Sequence, residues 1–328
     1  MPAAGQTAMV TGAAGFVGRH LVTRLAAAGW RVVATDLARP GTPARDPPAG
    51  IEERPLDVRD GQAVAALVSE LRPDVLFHLA AQASVAASMR DPLDDVDVNV
   101  LGTLHVARAA AAAGVRRIVY FSTGGALFGE PLYQPVDEQH PARPNSVYGT
   151  SKLAAELYLG ALTAGSGTSV SVLRPGNIYG PQQVHTREYG VVGIFAGRML
   201  RGESVTIFGD GGESRDYIFI DDVVDAALAA AHGEPATCLI GSGIATTTAR
   251  VFALVAEATS YGRPPLYEPA RPGEIRCIAL LPRLAEERWG WKARTPIEEG
   301  VRLAVAWHRS QLSGAADGGG AAGSGAPP

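Results

Sequence analysis

Tyr148 and Lys152 are the two side chains in this sequence whose types and spacing are best suited to moving a proton. They lie four residues apart in "NSVYGTSKLAAELYLGAL", a stretch with helical character, so both fall on one helix face. A phenol with an ordinary pKa of about 10 is a poor base at neutral pH, but a neighbouring ammonium favours the phenolate. The pair could therefore exchange a proton with a substrate hydroxyl. Because YxxxK alone is common, its meaning depends on the rest of the chain.

A glycine-rich turn near the N-terminus has the pattern of a phosphate-binding turn. "MVTGAAGFVG" places Gly12, Gly15 and Gly18 between a predicted strand and a predicted helix. These glycines suit a tight turn, a close approach to a pyrophosphate and helix–strand packing, and the helix N-terminus favours the anion. Asp36 ends the second predicted strand, where a carboxylate can bind an adenosine ribose and repel a 2′-phosphate. The turn and Asp36 together predict NAD, although Arg39 nearby leaves NADP open.

The stretches that would position these residues alternate between strands and helices. "AMVTG", "RVVATD", "DVLFHLA", "RIVYFS" and "VSVLRP" are apolar runs separated by Ala-rich helical stretches. They predict an α/β fold, a Rossmann-type doubly wound parallel sheet with a smaller C-terminal substrate-binding lobe. We expect the NAD-binding domain at residues 1–175, rejoined by 219–245, and the lobe at 176–218 and 246–311. Residues 39–50 are expected to form a surface loop, and residues 312–328 a disordered tail.

Composition and charge argue against several classes of protein. The 328 residues carry a formal charge of −4 with no basic cluster, which disfavours nucleic-acid binding. Two cysteines, and seven histidines without HxxxH or CxxC spacing, predict neither a disulfide scaffold nor a metal site. The sequence shows no export signal or membrane span, so we expect a cytoplasmic protein without membrane association.

Nine short segments carry a resemblance to a known enzyme family. In chain order they are "TGAAGFVG", "LDVRD", "FHLAAQASV", "DVNVLGT", "FSTGGALFGE", "YGTSK", "LRPGNIYGP", "GESRDYIFIDD" and "RPGEI". From residue 7 to about 310 the chain resembles the extended short-chain dehydrogenase/reductase family, and within it the NAD-dependent sugar epimerase/dehydratase group.

The resemblance implies a nucleotide-sugar 4-epimerase with tightly bound NAD. Such an enzyme would invert C4 of a UDP-hexose of the UDP-glucose and UDP-galactose type through a transient 4-keto sugar. The open alternatives are a UDP-uronic-acid 4-epimerase, a 4-ketoreductase of dNDP-deoxysugars and, in another class, a non-catalytic NAD-binding sensor. The resemblance also implies a homodimer formed by two helices per subunit, near residues 92–113 and 147–164.

Roles for individual residues follow from the same resemblance. Tyr148 would be the acid/base and Lys152 would hold the nicotinamide ribose. Asn99 would support the active-site helix, although a helix-capping role stays open for it. The full set expected to contact NAD is Gly12, Gly15, Phe16, Val17, Gly18, Asp36, Asp57, Val58, Leu79, Ala80, Ala81, Asn99, Tyr148 and Lys152.

Substrate contacts are implied at three further positions. Asn177 in "RPGNIYG" matches the residue that contacts the sugar nucleotide. Arg215 and Arg271 match the arginines that grip its diphosphate, a task suited to a planar, permanently charged fork. Surface salt bridges are the alternative role for both arginines.

The segment "FSTGGALFGE" departs from the family pattern. The family usually has Ser or Thr at the position of Gly124, bonded to the reacting hydroxyl. We expect Thr123 to replace it, with Ser122 as second choice because it should face the other side of the sheet, and a water molecule as a third. Gly125 and Ala126 stand where the dehydratase branch has an Asp-Glu pair, which disfavours dehydration.

Overall fold

A parallel sheet of seven strands organises the computed structural model, which describes residues 5–37, 50–183, 190–271 and 275–317. Its order is β10-β6-β5-β4-β1-β2-β3, and every neighbouring pair is parallel. Strands of two smaller sheets, β11-β9-β7 and β12-β8, belong to the C-terminal half. The strands are β1 (Thr7–Thr11), β2 (Arg31–Asp36), β3 (Ile51–Pro55), β4 (Val75–His78), β5 (Arg117–Phe121), β6 (Ser169–Pro175), β7 (Asn177–Tyr179), β8 (Thr206–Phe208), β9 (Ser214–Phe219), β10 (Thr237–Ile240), β11 (Ala245–Thr247) and β12 (Leu266–Glu268).

Helices cover both faces of the large sheet, because its central strands carry apolar side chains on both sides. Along β1, Ala8 and Val10 belong to one buried cluster and Met9 to the other, as the alternation of a strand requires. The helices are α1 (Phe16–Ala27), α2 (Gly61–Leu71), α3 (Val85–Arg90), α4 (Pro92–Val96), α5 (Gly102–Ala113), α6 (Val147–Thr163), α7 (Val191–Leu200), α8 (Ile220–His232), α9 (Thr248–Thr259), α10 (Arg283–Trp289) and α11 (Ile297–Asp317), with a π-helical turn (Asp97–Leu101) between α4 and α5.

The strand order reverses between β1 and β4, where the chain leaves β3 and returns to the other side of β1. In open parallel sheets, ligands bind in the crevice outside the carboxyl ends of strands at such a reversal. The predicted fold class, a Rossmann-type doubly wound α/β sheet, is confirmed.

The C-terminal end of the chain differs from the expectation. α11 continues to Asp317, so residues 312–317 are helical where the sequence predicted a tail beginning at 312. Once a helix has formed, each added residue gains one backbone hydrogen bond, so the helix can continue without a buried apolar side chain. Residues 38–49, most of the predicted surface loop, and 318–328, the rest of the predicted tail, lie outside the described residues. None of the described helices has the length and apolarity needed to cross a membrane.

Candidate active site

The glycine turn closes the carboxyl end of β1. Gly12 has φ +70°, and a Cβ there would lie 2.7 Å from the amide nitrogen of Ala80. A Cβ on Gly18 would collide with the carbonyl oxygen of Gly12. α1 starts with Gly15 as its N-cap and has no side-chain cap, which leaves the first-turn amides to an anion. This geometry fits a pyrophosphate.

Asp36 lies beside this turn. Its Oδ2 accepts a hydrogen bond from Ala14 N at 2.8 Å, and its Oδ1 accepts from Leu37 N at 2.8 Å. Each carboxylate oxygen has a second lone pair, so the group can still accept from a ribose. The carboxylate therefore lies beside the glycine turn with lone pairs that can accept from a further donor.

The residues after β3 and β4 make up the rest of the predicted cofactor wall. Leu79 and Ala80 each donate their backbone N–H to Thr11 Oγ1 at 3.2 Å, which ties the end of β4 to the end of β1. Asp57 pairs with Arg59 at 2.7 Å, and this hydrogen bond lowers the pKa of the Asp57 carboxyl. Val58 is buried. The other predicted wall and helix-start residues, Ala81, Phe16 and Val17, are partly buried.

Asn99, in the π-helical turn, connects the loop after β4 to α6. Its Nδ2 donates to Gln82 O and Asp95 Oδ2, both at 3.0 Å, and to Ser151 Oγ at 3.3 Å. Its Oδ1 accepts from Gln82 N at 3.0 Å. Ser151 in turn donates to Tyr148 O at 2.9 Å. Asn99 is thus hydrogen-bonded both to the loop after β4 and to Ser151 on α6.

Three further residues of this network were not predicted from the sequence. Gln82 Nε2 donates to Asp95 Oδ2 at 3.0 Å, and Ser88 Oγ accepts from Tyr148 N at 3.1 Å. Asp95 and Ser88 are fully buried, which is unusual for polar residues without a role. The only sequence signal was that Gln82 lies inside "FHLAAQASV" and that Asp95 precedes Asn99 by one helical turn.

The start of α6 fixes Tyr148 and Lys152 near the loop after β5. Ser146 caps the helix by accepting from Gly149 N at 3.1 Å. Gly149 packs so closely on Ala126 O that any Cβ would collide with it. Tyr148 is partly buried and Lys152 is 3% exposed. The two predicted proton-handling residues are therefore brought together at the carboxyl edge of the sheet.

Burial dominates the electrostatics of Lys152. It lowers the pKa of Lys152 to about 7, against the opposing effects of the Glu156 and Asp95 carboxylates. Glu156 itself forms a largely buried ion pair with Arg174, with N and O 2.6 Å apart. Burial, followed by the nearby Lys152 charge, lowers the pKa of His78 to about 3, so this imidazole is neutral.

The two hydroxyls in the loop after β5, those of Ser122 and Thr123, have different surroundings. Ser122 donates to the Glu156 carboxylate inside the fold, which argues against its predicted contact with substrate. Among the described residues, no hydrogen bond involves the Thr123 hydroxyl, and Thr123 retains 9% exposure. Strand alternation explains the difference, because consecutive residues face opposite sides.

Gly124 is packed against the neighbouring strand. Its N–H donates to Pro175 O at 2.6 Å. A Cβ would lie 2.7 Å from Arg174 O and 2.5 Å from Leu280 Cδ1. A Cβ on Gly125, by contrast, would lie 3.3 Å from Asn177 Oδ1. A serine or threonine at position 124 therefore requires the backbone of β6 to move.

The predicted substrate residues belong to the C-terminal half. Asn177 starts β7 and is exposed beside Gly125. Arg215 on β9 donates to Ser214 O at 2.9 Å and to Ile275 O at 2.6 Å. Arg271 is exposed, with its guanidinium 3.9 Å from the centre of the Phe208 ring.

Ile278 lies seven residues after Arg271, at a position to which the family resemblance gives an influence on tolerance for an N-acetyl group. Ile278 is 1% exposed and packs in a core cluster with Leu127 and Phe128, so this side chain does not line an open surface.

Among the described residues, no group of three or more His, Cys, Asp or Glu side chains could hold a metal ion.

Comparison with known proteins identifies the family. The sequence model of the NAD dependent epimerase/dehydratase family matches residues 8–241. The chain belongs to this family. UDP-glucose 4-epimerase of Mycolicibacterium smegmatis is 39% identical over 311 residues, covering 92% of this chain and 98% of that protein. The predicted family, the enzyme class and the NAD dependence of that class are confirmed.

Two solved structures resemble most of the chain. UDP-glucose 4-epimerase of Thermotoga maritima, solved with UDP-glucose, superimposes with a TM-score of 0.90 at 38% identity, covering 94% of this chain and 100% of that one. MoeE5, solved with UDP-glucose and NAD, gives a TM-score of 0.84 at 34% identity, covering 93% and 99%. MoeE5 has also been solved with UDP-glucuronic acid and NAD.

The packing of Gly124 leads to a prediction about stability. We expect Gly124→Ser to lower the free energy of unfolding by about 1–3 kcal/mol, because the side chain meets the backbone of β6. Gly262→Ser is the matched control, since a Cβ there meets nothing within 4 Å. Urea unfolding of both variants and the wild type measures the difference. A Gly124→Ser protein as stable as the wild type would show that position 124 has room for a hydroxyl.

Proposed function

We propose that this protein is a nucleotide-sugar 4-epimerase that retains NAD and inverts C4 of a UDP-hexose of the UDP-glucose and UDP-galactose type. One observation carries the proposal. Tyr148 and Lys152 lie together at the carboxyl edge of the sheet whose first turn fits a pyrophosphate. The similarity to UDP-glucose 4-epimerases over nearly the whole chain supports the choice of substrate.

In this function the glycine turn and the adjacent strand ends hold NAD. Gly12 would form the tight turn, Gly15 would let the backbone approach the pyrophosphate, and Gly18 would keep α1 packed on β1. Asp36 would bind the adenosine ribose, and Lys152 the nicotinamide ribose. Bound NAD supplies reversible acceptance of the C4 hydride, which converts the alcohol to a ketone and back. The remaining cofactor contacts that we propose are Phe16, Val17, Asp57, Val58, Leu79, Ala80, Ala81, Asn99 and Tyr148.

Tyr148 handles the proton in this mechanism. Its phenolate, favoured by the Lys152 ammonium, takes the proton of the C4 hydroxyl and later returns it to the 4-keto oxygen. The hydrogen bond from Tyr148 N to Ser88 and the Asn99 network fix the start of α6. Because the same residue serves as base and as acid, its fixed position matters for both directions of the reaction.

Thr123 is the proposed helper hydroxyl. Gly124 leaves no space for a side chain, and Ser122 is bonded to Glu156. Thr123 is next to this position and its hydroxyl is uncommitted among the described residues. It would donate to the reacting oxygen while the proton passes to or from Tyr148.

The C-terminal lobe is the proposed substrate-binding part. Asn177 is exposed beside the Gly124–Gly125 pair, close to the loop that carries Thr123. Arg215 and Arg271 would bind the diphosphate, about which the 4-keto sugar rotates to present its other face. A UDP-uronic-acid 4-epimerase is the second candidate, because the similar protein MoeE5 has been solved with UDP-glucuronic acid.

Product analysis tests the function. We expect the purified protein, without added cofactor, to convert UDP-glucose and UDP-galactose into each other, as read by proton NMR, with UDP-N-acetylglucosamine and UDP-glucuronate run alongside. Tyr148→Phe should lower turnover at least about 100-fold, since it removes the proton carrier. Turnover of UDP-glucuronate alone would select the uronic-acid reading. Consumption of added NADH or NADPH would indicate a reductase, and no reaction with any UDP-sugar would reject the proposal.

Two neighbouring hydroxyls test the helper role. We expect Thr123→Val to lower kcat about 10- to 100-fold and Thr123→Ser to retain most of it, because only the hydroxyl is needed. Ser122→Ala is the matched control, which should reduce stability through its Glu156 contact more than it reduces kcat. Steady-state kinetics of the folded variants measures these values of kcat. Normal kcat in Thr123→Val would transfer the role to a water molecule.

We also propose a cytoplasmic homodimer, formed through residues 92–113 and 147–164, which include α4, α5 and α6. Large apolar side chains are exposed on α4, on α6 and on the adjoining α3, and these three helices pack against one another within the subunit. Monomeric proteins rarely expose several large apolar side chains on adjoining helices in this way. The patch consists of Val85 (45% exposed), Met89 (59%), Leu93 (80%), Leu157 (69%) and Tyr158 (48%).

Charge placed on this patch tests the dimer. Leu157→Asp should give a monomer, because an unpaired carboxylate would be buried in the interface. Leu266→Asp is the control, since Leu266 is 54% exposed on β12, away from these helices. Light scattering coupled to size-exclusion chromatography reports the mass. A monomeric wild type, or a dimeric Leu157→Asp variant, would contradict the proposed interface.

A further inference from the structure

Tyr120, on β5, presents its ring to Lys152. The Lys152 Nζ lies 4.3 Å from the centre of this ring. Tyr120 is 0% exposed and belongs to the core cluster that packs beneath α5 and α6. A cation within about 6 Å of a ring centre is attracted by the negative face of the π-system, more strongly when both are desolvated.

The ring is neutral and firmly placed. Burial raises the pKa of the Tyr120 hydroxyl well above its ordinary value, so the group is a phenol and not a competing anion. The His78 ring packs against it with centres 5.7 Å apart. His78 is itself held by Thr11 Oγ1 at 2.7 Å and Thr103 Oγ1 at 3.0 Å. The ring is thereby linked to the strand that precedes the glycine turn.

The two carboxylates nearest Lys152 act on it through space and not by direct contact. Asp95, on α4, uses its Oδ2 for Gln82 and Asn99, and its buried Oδ1 has no hydrogen-bond partner among the described residues. Glu156, one turn along α6, accepts from Arg174. Within the described residues, Lys152 forms no ion pair with either carboxylate.

The other titratable groups near Lys152 include a neutral imidazole and a guanidinium that is already paired. His78, from β4, is neutral. Tyr148 lies one turn earlier on α6, and Arg174, from β6, is neutralised by Glu156. The Tyr120 ring is consequently a direct contact of the ammonium in a site that would otherwise favour its loss.

We propose that Tyr120 is a positioning residue, whose ring face holds the Lys152 side chain as an ammonium at the carboxyl edge of the sheet. The hydroxyl of Tyr120 has no part in this role. The importance of the contact for catalysis rests on the proposed function, whereas the contact itself does not. An aliphatic residue, which suits a buried parallel strand equally well, would fill the space without stabilising a cation.

The chain offers a direct measurement, because Lys152 and Lys292 are its only lysines. Protein labelled with ¹³C at the lysine ε-carbon gives two signals, and Lys292→Arg identifies the exposed one. The chemical shift of the Lys152 signal against pH then reports the pKa of Lys152 in the full chain as purified. The NAD content of each preparation is measured in parallel by absorbance after denaturation.

Three variants test whether the Tyr120 ring, and not the surrounding core, raises the pKa of Lys152. We expect Tyr120→Leu to lower the pKa of Lys152 by about one unit or more and to reduce NAD content. Tyr120→Phe keeps the ring and should leave the pKa within a few tenths of a unit. Phe77→Leu removes a fully buried ring from the neighbouring strand, in the other core cluster, and should not move it.

The Lys152 pKa tests the role of the Tyr120 ring independently of whether the protein converts a UDP-sugar. An unchanged Lys152 pKa in Tyr120→Leu, or an equal fall in Phe77→Leu, would overturn the role of the ring even if the wild type is an epimerase. A pKa fall confined to Tyr120→Leu supports the role even if no UDP-sugar is converted. Should Tyr120→Leu fail to fold, Tyr120→Met replaces it. A lowered Lys152 pKa in Tyr120→Met would then support the role of the ring, and an unchanged pKa would overturn it.

Discussion

The burial of one ammonium group, that of Lys152, is the constraint on which this active site depends. Moving an isolated charge from water into a protein core is costly, and the group tends to lose its proton instead. The structure opposes that loss with two carboxylates nearby and with the face of an aromatic ring. In the proposed function it is the charged form of Lys152 that would favour the Tyr148 phenolate and bind the nicotinamide ribose.

The parallel sheet explains why the functional segments meet. Gly12, Asp36, Leu79 and Thr123 each lie at or just after the carboxyl end of a strand, and Asn177 follows the sixth strand. Carboxyl ends of parallel strands share one edge, and the strand order reverses between β1 and β4. The sheet thus brings residues that are far apart in sequence to one edge, and each segment contributes only one or two of them.

The sequence was sufficient to predict the fold, the glycine turn and the Tyr148–Lys152 pair, because each depends on local spacing or on strand–helix alternation. Asn99 could be singled out by resemblance alone. Its partners Gln82 and Asp95 could not, because their contacts are set by the π-helical turn between α4 and α5. Because π-helical turns are rare, helical spacing alone does not predict one at this place.

Other features depended on tertiary packing that no local pattern reports. The carboxylate that binds Ser122 comes from Glu156, 34 residues away, and the atoms that crowd Gly124 belong to β6 and Leu280. Burial of Ile278 is decided by a cluster drawn from several loops. The helical residues 312–317 were misjudged because their composition resembles a tail, while the helix before them continues.

The most direct test of the central claim follows one hydrogen atom. UDP-glucose with deuterium at C4 is incubated with the protein in ordinary water, without added cofactor, and the UDP-galactose formed is analysed by mass spectrometry. If hydride is removed from C4 and returned to it within the same protein, the product keeps its deuterium. Loss of the deuterium to water, or product formation only after NADH or NADPH is added, would contradict the proposed mechanism.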